Sequence, residues 1–388
     1  MIKRSAKKMI KGTPEYIKVM NRNTVLSLIV KEKSISRATI SARTNLSKST
    51  VSSIVDELLN ENIIREKGEG VSTKLGGRKP IELVFNPSAG YIVGIDIGAS
   101  KSISVISDLS GKILSKEITH KRNCDESSYL KDIIKVVKDM AAKQGVEDKL
   151  IGVGVGVPGT TDIEQGIARF VPKLNWVDYP IREILEKEFG LDVFIDNDVN
   201  MAVFGEKWLG VGSQYSNFVF ISIGDGIGSG IIIDNKIYRG HNYTGGEIGY
   251  LVLSKDALET ERYTPDAYGY FESVASGSAI ERKLGLSCKA VFEKASHNDI
   301  ECIEAVNEMI EYLSMGIANI VSVLSPQAVI IGGGVSKAGL GLLLSIRKEV
   351  SRLTPVKTEI VLSELEEDAG VIGAVGSVLA NKYGISFY

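Results

Sequence analysis

The chain has 388 residues, of which 44% are hydrophobic and 24% charged, with a formal net charge of −2. This composition is that of an ordinary folded protein of two or three domains, and it argues against a disordered or fibrous chain. Three isolated cysteines disfavour a disulfide framework and a thiolate zinc site, so a reducing, cytoplasmic setting is expected. No membrane span or secretory signal is expected, since the apolar runs are short or interrupted and the start is merely basic.

The charge is divided unevenly along the chain. Residues 1–87 carry 17 Lys and Arg against 8 Asp and Glu, a net charge of +9, and the remainder carries −11. A basic segment on an acidic body suggests contact with a polyanion. A solvated basic tail is the alternative on charge alone.

The basic segment begins with the pattern of three helices. Apolar spacing predicts helices over Asn21–Lys33 and Ser36–Thr44, the second capped by Ser36. Ser47 is predicted to cap a third helix, Lys48–Glu61, whose first turn carries short hydroxyl side chains and a cation. Such a composition is typical of a recognition helix that enters the major groove by its N-terminal end. The candidates for DNA contact on this helix are Ser47, Lys48, Ser49, Thr50 and Ser52.

A hairpin wing is predicted after the third helix. The stretch Ile63–Glu66 and the apolar strand Ile81–Phe85 flank a glycine-rich loop that holds Lys74, Arg78 and Lys79. Basic residues among glycines suit phosphate or minor-groove contact. The helix pattern, the wing and the net charge together predict a winged helix-turn-helix DNA-binding domain over residues 1–87. A winged helix that docks another protein is the alternative.

The body contains a duplication. A unit of strand, glycine turn and two further strands begins at Tyr91–Gly98 and recurs from Phe218–Ile223, with helices after each copy. Two such α/β lobes would face one another across a cleft, which is where a ligand is expected. The glycines from Gly224 to Gly230 can leave backbone N–H groups free for an anion, and the positive φ angles that glycine tolerates are expected there. The turn Gly332–Gly334 is a third glycine site.

Polar residues stand where they could bind a small hydroxylated ligand. Asn197 and Asp198 end the predicted strand Asp192–Asn197, at the usual ligand edge of an α/β sheet. Glu247 lies in the tight turn Gly245–Gly249, which could face a small polar ligand. For Asp198, capping of the following helix is an alternative role, and surface salt bridging is the alternative for Glu247.

The order of motifs resembles one family. NLSKSTVSSIVDEL, GGRKP, VGIDIG, GVGVPG, DNDVNMAVFGE, GDGIGSGIIIDNKIYRG, GGEIG and AVIIGGGVS follow one another along essentially the whole chain. This series resembles the ROK family of sugar kinases and sugar-responsive repressors, and the N-terminal segment resembles its repressor branch. The resemblance implies a duplicated, actin-like (RNase H-like) ATPase fold behind a winged helix-turn-helix. It implies one lobe over residues 88–198, completed by residues 368–388, and a second over residues 199–367.

The resemblance also implies roles for particular residues. Asp198 looks like the general base of a sugar kinase. The residues that look like partners of sugar hydroxyls are Asn197, Asp198, Glu247 and Glu272. The residues that look like nucleotide or phosphate contacts are Gly98, Ser100, Lys101, Gly224, Gly226, Gly228 and Gly333.

Several positions depart from the family pattern. Asp225 stands where the kinases usually have Thr, and a carboxylate there would repel a triphosphate. Tyr250 replaces a zinc-binding His, and no cysteine occurs from Glu261 to Tyr270, so neither zinc nor another resident metal is expected. We therefore expect these departures from the family pattern to weaken nucleotide binding more than sugar binding.

Two functions follow from these residues. The leading hypothesis is a repressor that binds operator DNA and an effector sugar or sugar phosphate and needs no cofactor. It is expected to be a homodimer or higher homo-oligomer. The alternative is an ATP- and Mg²⁺-dependent sugar kinase, which could also retain DNA binding. No membrane partner is expected in either case.

Overall fold

The N-terminal domain is a three-helix unit with a small antiparallel sheet. The computed structural model describes residues 12–69, 80–121, 126–255 and 269–385, and the structural statements below concern these residues. The elements of the domain are α1 (Pro14–Glu32), β1 (Ile35–Ser36), α2 (Arg37–Thr44), α3 (Lys48–Asn60), β2 (Ile64–Glu69) and β3 (Ile81–Phe85). The strands pair in the order β1-β3-β2. The predicted winged helix-turn-helix is confirmed, except that Lys74, Arg78 and Lys79 of the wing lie outside the described residues.

The helix starts follow local capping chemistry. The Ser36 hydroxyl accepts a hydrogen bond from the Thr39 N–H at 3.2 Å, and the Ser47 hydroxyl accepts one from the Thr50 N–H at 3.1 Å. The first helix begins at Pro14, seven residues before the predicted Asn21, because a proline at its first position is compatible with a helix start. Apolar periodicity alone did not mark that first, exposed part of the helix.

The first lobe is built on a five-stranded sheet. Its elements are β4 (Tyr91–Ile97), β5 (Lys101–Asp108), β6 (Ile113–His120), α4 (Glu126–Gln144), β7 (Leu150–Val157), β8 (Thr160–Asp162), β9 (Ile167–Val171), β10 (Trp176–Tyr179), α5 (Ile181–Phe189) and β11 (Val193–Asn197), and α6 (Asp198–Leu209) leads on to the second lobe. The main sheet has the order β11-β7-β4-β5-β6, and β8 to β10 form a separate three-stranded sheet.

The second lobe repeats this arrangement. Its elements are β12 (Phe218–Ile223), β13 (Ile227–Ile233), β14 (Lys236–Ile237), α7 (Tyr270–Ala275), α8 (Gly277–Leu284), α9 (Cys288–Ser296), α10 (Ile300–Leu324), β15 (Ala328–Gly332), α11 (Leu340–Leu353) and β16 (Glu359–Leu362), followed by α12 (Ala369–Tyr383). The sheet order is β14-β13-β12-β15-β16. In each sheet the first strand of the copy, β4 or β12, is antiparallel to the next strand and parallel to a later one. The predicted duplication is therefore confirmed at the level of strand order.

Helices α6 and α12 pack closely against each other, and α6 also contacts strands of both large sheets. The close approach depends on glycine: a β-carbon placed on Gly373 would lie 1.7 Å from the Met201 carbonyl oxygen, and one on Gly205 would lie 2.2 Å from the Ala369 carbonyl oxygen. On its other side α12 joins a single apolar cluster that includes residues of the first sheet and of α1 and α3. The DNA-binding domain thus packs directly on the first lobe.

Candidate functional site

Asn197 and Asp198 lie where β11 ends and α6 begins. The Asn197 side-chain oxygen accepts hydrogen bonds from the N–H groups of Val199 and Asn200 at 2.9 and 3.2 Å. Its amide nitrogen donates to the Gly159 carbonyl oxygen at 3.0 Å. The capping role that was considered for Asp198 therefore belongs to Asn197, and Asp198 is the first helical residue. Both ends of the Asn197 amide are fixed before any ligand arrives.

Asp198 faces a second carboxylate, Asp96, near the end of β4. A β-carbon placed on Gly156 would lie 3.1 Å from Asp96 Oδ1 and 3.3 Å from the Asp198 Cα, so a larger residue there would crowd both. Desolvation raises the pKa of Asp96 to about 7, although Lys101 opposes this. Desolvation and the neighbouring Asp96 raise the pKa of Asp198 to about 8. A pair of carboxyls with these properties can hold or release a proton near neutral pH, as a general base must.

Asp96 is a site residue that sequence reasoning missed. The available signal was its place in the motif VGIDIG. Asp96 lies near the carboxyl end of β4, and Gly156 lies near the carboxyl end of the adjacent strand β7. Neighbouring parallel strands such as β4 and β7 bring their carboxyl ends to the same edge of a sheet.

Glu247 and Glu272 belong to the second lobe. The turn before Glu247 is held on β13, because the Gly246 carbonyl oxygen accepts hydrogen bonds from the Ser229 N–H at 3.2 Å and the Ser229 hydroxyl at 2.8 Å. Glu272, in the first turn of α7, accepts a hydrogen bond from the Ile227 N–H at 3.1 Å. Glu247 keeps contact with solvent, yet desolvation by the cleft walls and the charge of Glu272 raise the pKa of its carboxyl. Glu247 also contributes to the raised pKa of Asp198, so these carboxylates share one region.

The glycine turn after β12 differs from the prediction. None of Gly224, Gly226, Gly228 and Gly230 has a positive φ, so the expectation of left-handed backbone there is wrong. The strand β13 begins at Ile227, which places the last two of these glycines inside it. Glycine at these two positions lets α6 pack close to β13, since β-carbons on Gly228 and Gly230 would lie 2.9 and 2.6 Å from side chains of α6. Positive φ does occur in the third glycine turn, at Gly333 (+81°).

The first glycine turn connects β4 to β5. The Gly98 N–H donates to the Lys101 carbonyl oxygen at 2.9 Å, which closes the turn, and Ser100 is exposed. The Lys101 ammonium lies 3.8 Å from Glu367, and Lys337, beyond the third turn, lies 3.6 Å from the same carboxylate. The Glu367 carboxylate is thus close to Lys101, in the first glycine turn, and to Lys337, beside the third.

A cavity of about 620 Å³ opens between the second and third glycine turns and α9. Its size is that of a small-molecule site. Its charged lining residues are Asp225, Glu281, Lys289, Glu293 and Lys337. Three carboxylates and two ammonium groups therefore line this cavity, and repulsion of a triphosphate by Asp225 stays a prediction.

The predicted DNA contacts lie at the N-terminal end of α3. Ser47, Lys48 and Ser49 are exposed, and Thr50 and Ser52 are half-buried. The face behind them is buried, as predicted, through Val51, Ile54, Val55 and Leu58. The polar end of the helix is therefore available to a partner.

In the described ranges, no three His, Cys, Asp or Glu side chains are placed to hold a metal ion together. The predicted absence of zinc stays a prediction, because most of the segment from Glu261 to Tyr270 lies outside those ranges. No helix in the described parts of the chain has the length and apolar character needed to cross a membrane.

The fold and the site define a class of protein: a winged helix-turn-helix domain joined to a two-lobed, actin-like ATPase body with a carboxylate-lined cleft. Residues 92–381 match the profile of the ROK family, and residues 21–65 match a profile described as winged helix-turn-helix DNA-binding. The chain belongs to the ROK family.

Its relatives include proteins with and without the N-terminal domain. A xylose repressor of Bacillus spizizenii is 34% identical over 94% of this chain and 96% of its own length. A glucokinase of Thermotoga maritima is 32% identical over 76% of this chain and 98% of its own. The solved structure of a ROK family transcriptional regulator, a homologue of the E. coli MLC protein, has a TM-score of 0.82 at 24% identity, over 95% of this chain and 98% of that one. The last comparison establishes the shared fold.

Proposed function

We propose that the protein is a sugar-responsive transcriptional repressor. It binds operator DNA through the exposed end of α3 and an effector sugar in the cleft between the lobes. Two observations support this proposal: the polar end of a winged helix is exposed, and Asp198, beside Asn197, lies near enough to Glu247, and Glu247 to Glu272, for each charge to affect the pKa of its neighbour. Three relatives that match nearly the whole chain at 30–34% identity are named xylose repressors, which supports the same function.

The cleft suits hydroxyl groups. Carboxylates accept hydrogen bonds from vicinal hydroxyls, and an amide held by its own hydrogen bonds presents its remaining N–H in a fixed direction. Asn197 is held in this way by α6 and Gly159. Such pre-organisation reduces the entropic cost of binding a small polar ligand.

A packed route connects this cleft to the DNA-binding domain. Asp198 begins α6, and α6 packs on α12 through Gly373 and Met201. The far end of α12 reaches α1, where the Asn23 amide, in the orientation that satisfies both of its polar atoms, donates to the Tyr383 carbonyl oxygen at 3.0 Å. A sugar that binds one arrangement of the lobes more tightly would thereby favour one placement of the domain, by as much as its differential affinity.

The remaining features are part of the same proposal. Repression requires no cofactor. The protein acts in the cytoplasm as a homodimer, which would present two recognition helices to a palindromic operator. The domain boundaries at residues 87, 198 and 367 remain those expected from the sequence.

The proposal is tested by following operator binding while sugars are added. Fluorescence anisotropy with a palindromic duplex, selected on the full chain from random sequence, should show affinity that falls steeply with salt. An effector from a panel of pentoses, hexoses and their phosphates should weaken binding, and a chain lacking residues 1–87 should not bind. The proposal would be rejected if no sugar in the panel changes operator affinity, or if the truncated chain still binds the duplex.

A kinase is the second candidate, and the raised pKa of Asp198 favours it, because a general base needs such a proton affinity. Asp225 and the acidic cavity oppose it. We expect negligible ATP consumption with any sugar that binds. Turnover of about 1 per second or faster, the usual kinase range, that is lost in Asp198→Asn would establish the kinase instead. Asp225→Thr should raise nucleotide affinity, because it removes a carboxylate and adds a hydroxyl.

A further inference from the structure

One ion pair joins the two walls of the cleft. Arg239 follows β14 of the second lobe, and Asp196 lies in β11 of the first. The Nε and one Nη of Arg239 both donate to Asp196 Oδ2, at 2.9 and 2.6 Å. The Asp196 side chain is only 8% exposed and that of Arg239 is 30% exposed. This is a largely buried pair, unlike the exposed ion pairs that contribute little.

The other oxygen of Asp196 fixes the first wall. Asp196 Oδ1 accepts hydrogen bonds from the Asn197 N–H at 2.8 Å and from the Asn200 side-chain amide at 3.1 Å. The carboxylate that Arg239 holds is therefore bonded to the backbone of the residue that caps α6. A displacement of Asp196 would move Asn197 and Asp198 with it.

The backbone of Arg239 fixes the second wall. Its carbonyl oxygen accepts a hydrogen bond from the Gly245 N–H at 2.8 Å, which closes the segment that leads to Glu247. Tyr243, within that segment, also lies near the first lobe, since burial and then the charges of Glu164 and Asp162 raise the pKa of its hydroxyl. The segment from 239 to 247 thus belongs to the second lobe by sequence and is held against the first.

We propose that Arg239 is a positioning residue of the effector site, which sets the separation between the Asn197–Asp198 wall and Glu247 through its ion pair with Asp196. The inference rests on the proposed sugar-sensing function and adds a residue to that site. Arg239 acts through Asp196, because two of its five N–H groups are committed to that carboxylate and fix its orientation. Without the guanidinium, Asp196 would remain a largely buried charge with no opposite charge beside it, and the two walls would lose this link.

The test uses the full chain and variants on both sides of the pair. Calorimetry with a sugar that binds the wild type should give about 10- to 100-fold weaker binding for Arg239→Met, the range expected when hydrogen bonds to a charged group are lost. Arg239→Lys keeps the charge but loses the two-pronged geometry, so it should recover part of the affinity. Arg352→Met is the matched control, because Arg352 pairs with Glu349 on the exposed side of α11 at 2.6 Å. Its sugar affinity should equal that of the wild type.

Two further measurements separate positioning from general stability. Asp196→Asn is close to isosteric and should weaken sugar binding as Arg239→Met does, and the double variant should be little worse than either single one, because both break the same link. Operator affinity without sugar should change much less than sugar affinity, because the recognition helix itself is not altered.

Each outcome is decisive. Wild-type sugar affinity in both Arg239→Lys and Asp196→Asn would overturn the inference even if Arg239→Met does not fold. An equal loss of sugar and operator affinity in Asp196→Asn would also overturn it, because that indicates a structural role alone. If the wild type binds no sugar in the panel, the proposed function itself fails, and this inference fails with it.

Discussion

Replacing Asp198 by Asn should change how stability depends on pH. The pKa of Asp198 is raised from 3.8 to about 8 in the folded protein. The folded state then binds a proton more tightly than the unfolded state, so this carboxyl makes folding less favourable as the pH rises from about 4 to about 8. Asparagine has nearly the same shape and does not titrate. The variant should therefore lose less stability than the wild type on going from pH 5 to pH 7.

The size of the effect follows from the width of that interval. One pH unit inside the interval corresponds to about 1.36 kcal/mol, so two units give at most about 2.7 kcal/mol. Because Asp198 keeps partial contact with solvent, which screens its charge, we expect about half of this, near 1.4 kcal/mol. Asp96 still titrates in the variant, so a residual pH dependence should remain.

Urea unfolding at pH 5 and pH 7, at one ionic strength, measures this difference. Asp139→Asn is the control, since Asp139 is an exposed carboxylate on α4 and its replacement should leave the pH dependence unchanged. If Asp198→Asn and the wild type lose the same free energy of unfolding between the two pH values, the argument that the cleft desolvates Asp198 is refuted.

Three other substitutions test the packing, the cap and the DNA contact. Gly373→Ala should lower the free energy of unfolding by about 1–3 kcal/mol, because the added carbon would lie 1.7 Å from the Met201 carbonyl oxygen. Gly341→Ala is the control and should not lower it, since no atom lies within 4 Å of its added carbon. Equal denaturation midpoints for the two variants would contradict this prediction. Asn197→Ala should cost about 1 kcal/mol of stability through loss of the helix cap and should also weaken sugar binding, as unfolding curves and calorimetry would show. Lys48→Ala should reduce the slope of log affinity against log salt for operator DNA by about 0.9, with unchanged sugar affinity; an unchanged slope would place Lys48 away from the phosphates.

The parts of the fold that the sequence predicts well are those with local causes. Ser36 and Ser47 each precede a helix, and both cap it as expected, because a cap needs only the N–H groups two or three residues further on. The strand Phe218–Ile223 has the predicted bounds, since it is a short apolar run followed by a glycine turn. The ROK family resemblance rests on the order of such motifs, and the family match confirms it.

The parts that the sequence does not predict depend on partners distant in the chain. Arg239 meets Asp196 across 43 residues, and no spacing rule connects them. The role of Asp96 depends on Gly156 lying on the neighbouring strand. The error at Gly228 has the same origin: a glycine in a turn-like sequence indicates either unusual backbone angles or a close neighbour, and the neighbour, Val199, becomes visible only in the folded chain.

Helix α12 shows why composition can indicate close packing without indicating the partner. Its small residues indicate a closely packed helix, but not what it packs against. In the structure it begins beside Asp96, since a β-carbon on Gly370 would lie 2.5 Å from Asp96 Oδ2, and it ends against Asn23 of α1. A helix of 15 residues therefore reaches from the carboxylates of the cleft to the DNA-binding domain. Because its interface with α6 leaves no room for a β-carbon at Gly373, we expect a displacement of α6 to move α12 with it, and α12 contacts α1 of the N-terminal domain at its other end.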